Sequence, residues 1–138
     1  MAIDLNTLAD IGERSPADVL ELLAKRFPPE AIQSRMIGGR ETPYVSIASV
    51  IARLNKAAGD WTWRIVSITT ENMPLNRRGE TVDTLVSIVI GSLEVPGLGV
   101  REGVGTHPCE GGEDGPKSAA SDALKRAASL FGTPLDGG

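Results

Sequence analysis

At 138 residues, 41% hydrophobic and 23% charged, the chain has the composition of one ordinary globular domain with a modest core. A net charge of -4 argues against a protein that coats nucleic acid with its whole surface; any such binding needs a local basic stripe. No run approaches the length of a membrane-spanning helix, and a lone cysteine, Cys109, excludes an internal disulfide.

The opening MAIDLNTLADIGER is acidic and helix-like, without a basic stretch leading into an apolar core, so no secretory signal is expected. Together with the cysteine count, this points to a cytoplasmic setting. Ser15-Pro16 then reads as the N-cap and first position of a helix whose apolar face is Val19, Leu20, Leu22, Leu23 and Phe27. Pro28-Pro29 ends it. EAIQSRMIGG follows, stopped by its glycine pair. A second amphipathic helix is expected over Thr42 to Ala58, where Ile47, Val50, Ile51 and Leu54 recur at helical spacing before Gly59.

Beyond Gly59 the period changes to two. Trp61 to Thr70 alternates as a half-buried strand does, and Asn76 to Gly79 is a turn. Thr81 to Leu93 is a β-branched run of central-strand character. Leu98 to Thr106 supplies a third strand after the Pro96-Gly97 turn, and His107 to Gly115 is a polar, glycine-rich loop. Pro116 to Phe131 is the final helix. This order predicts an α+β domain, with a three-stranded antiparallel meander covered on one face by helix.

The final helix carries the most information. Ala119, Ala120, Ala123, Leu124, Ala127, Leu130 and Phe131 form one apolar arc, and so many alanines allow close backbone approach to a sheet. Ser118, Ser121, Asp122, Lys125 and Ser129 occupy the wet side, with Arg126 at its edge. The small hydroxyls, Ser121 among them, leave the Lys125 ammonium accessible, and hydroxyls and ammonium groups both donate to phosphate oxygens. A solvated helix face explains the same pattern, and from pattern alone it is the commoner arrangement.

The run Lys117-Ser118-Ala119-Ala120-Ser121-Asp122-Ala123-Leu124-Lys125-Arg126-Ala127, closed by Phe131-Gly132, resembles the signature helix of the Rad52-like superfamily of single-strand annealing proteins. Val50-Ile51-Ala52-Arg53-Leu54-Asn55 to Gly59, leading to Trp61 and Trp63, is similar to that family's helix before a tryptophan-bearing strand. Gly103-Val104-Gly105 is similar to its G-x-G strand end. The resemblance spans Tyr44 to Leu135 and is nearest the short bacterial branch, which includes DNA damage response protein A, and the phage annealing proteins. It implies a single domain: an N-terminal helical segment (1–43), a β-β-β-α core (44–135) and a short tail (136–138).

The resemblance also implies a non-enzymatic protein without a cofactor, forming a homo-oligomeric ring that binds single-stranded DNA in a basic groove. Its setting would be repair, recombination or end protection, in a bacterial or phage-infected cell and alongside other repair proteins. Lys125 and Arg126 occupy the family's DNA-contacting Lys-Arg pair. Arg64, Arg77, Arg78 and Lys117 are candidates for the rest of the stripe, although Arg77-Arg78 also reads as a solvated hairpin tip. Ser49 and Ser129 stand where the family carries basic residues, and the aromatic before the tryptophan strand is missing, which thins the contact set. A ring would repeat one small stripe many times, which reconciles DNA binding with an acidic chain.

Other signals weigh less. His107 and Cys109 lack the second pair of ligands that a zinc site needs, and a Cys-His catalytic pair needs an orienting third group. Glu110, Glu113 and Asp114 suit the positive end of a helix better than magnesium. Trp61 and Trp63 share a strand face and suit core packing better than base stacking. A protein-interaction module and a Cys/His-dependent enzyme remain as alternative functions.

Overall fold

The structure, a computed structural model, describes residues 14–109 and 114–136. Helix α1 (Pro16–Ala24) starts as the sequence implies: Ser15 Oγ accepts the Asp18 N–H at 3.2 Å, and proline takes the first helical position. It stops at Ala24, short of Phe27, whose position before Pro28 disfavours helical geometry. Phe27 is buried all the same, ahead of a single 3-10 turn at Pro29–Ala31.

The next segment corrects the sequence reading. Thr42 to Val45 is not helix, and the segment before Tyr44 is not wholly helical. β1 (Ile32–Ile37) and β2 (Arg40–Val45) form an antiparallel hairpin across Gly38-Gly39, whose φ values of 58° and 76° fit a two-residue turn of primed type. Helix α2 (Ile47–Ala57) begins only after Ser46, whose Oγ caps the Ser49 N–H. The expected periodicity of Ile47, Val50, Ile51 and Leu54 is correct, but it extends no further back.

The meander appears as expected, with longer strands. β3 (Thr62–Arg77), β4 (Glu80–Val95) and β5 (Gly99–Pro108) form an antiparallel sheet in the order β3-β4-β5. Arg78-Gly79 makes the first turn, with Arg78 at φ 51°. Pro96-Gly97 makes the second, closed by the Leu98 N–H on the Val95 carbonyl. Asn76 and Arg77 belong to β3, and His107 and Pro108 to β5, rather than to loops. A bulge at Val66 interrupts the β3–β4 ladder.

Helix α3 (Asp114–Ser129) lies across β4 and β5. Its approach is set by glycines. A Cβ at Gly103 would stand 2.1 Å from the Ala123 carbonyl oxygen, and one at Gly105 2.0 Å from that of Ala119. Bare glycine on the strand and alanine on the helix therefore let two backbones touch. Gly91, in register with Gly103, makes room for the Trp63 ring. The main core gathers Leu23, Val45, Val50, Leu54, Leu93, Val95, Leu124 and Phe131 between α1, α2, α3 and the closed end of the sheet. Among the described residues, no helix is long and apolar enough to cross a membrane.

Candidate nucleic-acid interface

A cleft of about 590 Å³ opens between α3 and the β1–β2 hairpin. The α3 wall presents Lys117, Ser118, Ser121, Asp122, Lys125 and Arg126, so four of the residues singled out in the sequence (Lys117, Ser121, Lys125 and Arg126) converge there. They share one wall because the opposite side of the helix is consumed by its seat on Gly103 and Gly105. The end of β5 adds Thr106 and His107.

The facing wall is the part that the sequence reading missed. Gln33 and Arg35 on β1 and Tyr44 on β2 look across at α3, with Ser46 and Ile47 at the base. The Arg35 guanidinium carbon lies 4.9 Å from the Tyr44 ring centroid, and Lys125 Nζ lies 5.5 Å from it. One half-buried tyrosine thus joins the two walls by attracting a cation from each. The available signal was the Gly38-Gly39 pair: taken as a hairpin turn, it brings Gln33 and Tyr44 together as cross-strand neighbours.

The electrostatics favour an anion. Among the described residues, Arg35, Lys117, Lys125 and Arg126 face a single lining carboxylate, Asp122. Burial pulls the Lys125 pKa below the ordinary lysine value; Arg35 and Arg126 push the same way, and Asp122 opposes them. A desolvated ammonium beside two guanidinium groups gains from a phosphate that neutralises it. Asp122 Oδ2 accepts Arg126 Nε at 3.0 Å and the Thr106 N–H at 3.2 Å. Lys125 makes no hydrogen bond among the described residues.

The remaining arginines stand elsewhere. Arg64 pairs in register with Ser92, on the sheet face turned away from α3. Arg78 sits at the exposed β3–β4 tip, on the order of 23 Å beyond Ser87 at 3.3 Å per residue. Of Arg77 only the backbone lies within the described structure. Ser49 and Ser129 also lie outside the cleft; Ser49 serves the α2 cap, and Ser129 Oγ donates to the Arg126 carbonyl at 2.6 Å.

His107 Nδ1 lies 2.9 Å from the Pro108 carbonyl, and Cys109 Sγ lies 2.8 Å from Ser87 Oγ. Each is engaged locally rather than with the other. Glu110 and Glu113 fall outside the described residues; Asp114 opens α3. Trp63 packs over Gly91, and Trp61 donates Nε1–H to Asn55 Oδ1 at 2.8 Å at the core margin.

Two comparisons bear on this geometry. A family model described as Rad52/22 family double-strand break repair protein matches residues 15–136. No curated protein matches the chain.

Proposed function

Because the chain belongs to the Rad52/22 family of double-strand break repair proteins, we propose that the cleft between α3 and the hairpin holds single-stranded DNA by its phosphates and serves strand annealing. The observation that carries this reading is the convergence of four cations on one cleft, two of them at the Tyr44 ring, against one carboxylate among the described residues, on a chain whose net charge is -4. DNA binding by an acidic chain needs a local basic stripe, and cations from both walls of the cleft would supply it. Backbone contacts of this kind hold a strand without reading its sequence. Arg35 and Lys125, gathered at the Tyr44 ring from opposite walls, are placed to take phosphates.

Assembly into a ring is part of the same proposal. Among the described residues β3 is an edge strand, and it exposes Ile65, Val66 and Ile68, the last at 55%. An unpaired strand edge bearing exposed apolar side chains invites another chain. Laying the clefts of neighbouring copies end to end would extend a site too short for more than a few nucleotides. Arg64 and Arg78, remote from the cleft in one copy, would be available to DNA only along such an extended path.

The test is a fluorescence-anisotropy titration with labelled oligonucleotide at several salt concentrations. We expect single strands to bind more tightly than duplex, with log affinity falling steeply against log salt as counterions are released. Comparable affinity for duplex, or an affinity indifferent to salt, would contradict the proposal.

A further inference from the structure

Asp122 is the only carboxylate lining the cleft among the described residues, and in a site for phosphates its charge opposes the ligand. Its geometry suggests what offsets that cost. Thr106 lies on β5, an edge strand whose outward N–H groups have no strand partner among the described residues, and its N–H donates to Asp122 Oδ2 at 3.2 Å. The same oxygen accepts Arg126 Nε at 3.0 Å. The sheet backbone therefore orients the carboxylate, and the carboxylate orients the guanidinium.

Arg126 needs such a hold. Its side chain is 61% exposed, and a free arginine samples many rotamers that a phosphate contact would have to freeze. Because guanidinium is planar, fixing Nε fixes the direction of the whole fork. No acceptor among the described residues takes its Nη groups, which stay available for the two-pronged contact that phosphate oxygens favour.

We infer that Asp122 is a positioning residue: through Oδ2 it holds Arg126 with the Nη groups free to meet a DNA phosphate. Asp122 also draws Lys125 toward its charged form, against burial and the neighbouring guanidinium groups. This inference rests on the reading of the cleft as a single-strand site, and it opposes plain electrostatics. On charge alone, deleting a carboxylate from a basic cleft tightens DNA binding; on the positioning argument, deletion weakens it.

The experiment is a double-mutant cycle on single-strand affinity, comparing the parent, Asp122→Ala, Arg126→Ala and the double variant at fixed low salt, with melting midpoints recorded in parallel. We expect Asp122→Ala to weaken binding about tenfold and to cause no further loss once Arg126 is absent. Should Asp122→Ala lower the melting midpoint, Asp122→Asn is measured beside it: it keeps an oxygen for both the Thr106 N–H and Arg126 Nε and should restore most of the affinity, and a loss as large as with alanine overturns the inference. Tighter or unchanged binding in the single variant overturns the inference, as does an equal loss in both backgrounds, which would place the effect in the fold. If Lys125→Ala weakens binding while Asp122→Ala does not, the positioning role fails and the single-strand reading stands. If the parent binds no single strand at all, both fail.

Discussion

The guanidinium of Arg53 lies 4.1 Å from the centroid of the Phe27 ring, and its Nη1 donates to carbonyls at the end of α1, those of Leu22 at 3.1 Å and of Lys25 among them. One side chain on α2 thus serves the short α1 twice: it donates to carbonyls at the helix end, of which that of Leu22 also takes the Lys25 N–H, and it covers one face of the Phe27 ring. A helix ending without a left-handed glycine needs some such donor.

Arg53→Lys should therefore destabilise the fold despite conserving charge. A lysine offers one compact ammonium in place of a planar fork, and cannot both stack on Phe27 and reach several carbonyls. We expect a loss of about 1–3 kcal/mol by chemical denaturation. Unchanged stability would mean that water caps α1 equally well.

Lys125 should show the reverse trade. Because burial lowers its pKa, the folded state binds its proton less readily than the unfolded chain, and the charged form costs stability until pH rises past the ordinary lysine value of 10.5. Lys125→Met should leave the melting midpoint at neutral pH unchanged or raised, while single-strand binding weakens and its salt dependence flattens. In the parent, affinity should begin to fall with rising pH before an ordinary lysine would titrate. Lys125→Arg should delay that fall. A variant that melts earlier and binds normally would contradict both statements.

Gly103→Ala and Gly105→Ala should be among the most damaging single-methyl additions. Their new Cβ atoms would meet helix backbone rather than flexible side chains. Relief requires lifting α3 off the sheet, at a cost of about 3 kcal/mol or more. Because α3 forms a wall of the cleft, DNA affinity should fall with stability. Urea midpoints close to the parent's would show that the helix can shift without loss.

Assembly should depend on the β3 edge. Ile68→Lys places a charge on an already exposed position, so the isolated fold should tolerate it, while docking of another copy should not. Light scattering should find a large oligomer for the parent and a species near the 14.5 kDa chain mass for the variant. A monomeric parent would remove the ring from the proposed function, and an assembled variant would place the interface elsewhere.

What was legible in the sequence follows what each element buries. The meander and α3 bury apolar faces at strict periods, and Val89, Leu93, Ala119, Ala123 and Ala127 disclose both the elements and their mutual packing. The β1–β2 hairpin buries almost nothing. Of its residues only Val45 is buried, and Met36 is 67% exposed, so no alternation marks it as a strand pair. Tyr44 and Val45 then merge by eye with the helical spacing that begins at Ile47. Half of the cleft was overlooked for that reason, since Arg35 and Tyr44 come together only when the chain reverses at Gly38-Gly39. The α3 half was legible because its signature combines core and surface in one helix.

The cleft consequently has one stiff jaw and one compliant jaw. α3 is locked by backbone contact with β5, whereas β1 and β2 pair chiefly with each other and are tethered where the Val45 N–H meets the Leu135 carbonyl. Amide exchange at β1 and β2 should run far ahead of exchange in α3, and loading with a single strand should slow it selectively. If the cleft anneals strands as proposed, such asymmetry would let the hairpin yield to an entering or leaving strand while the α3 wall keeps its place.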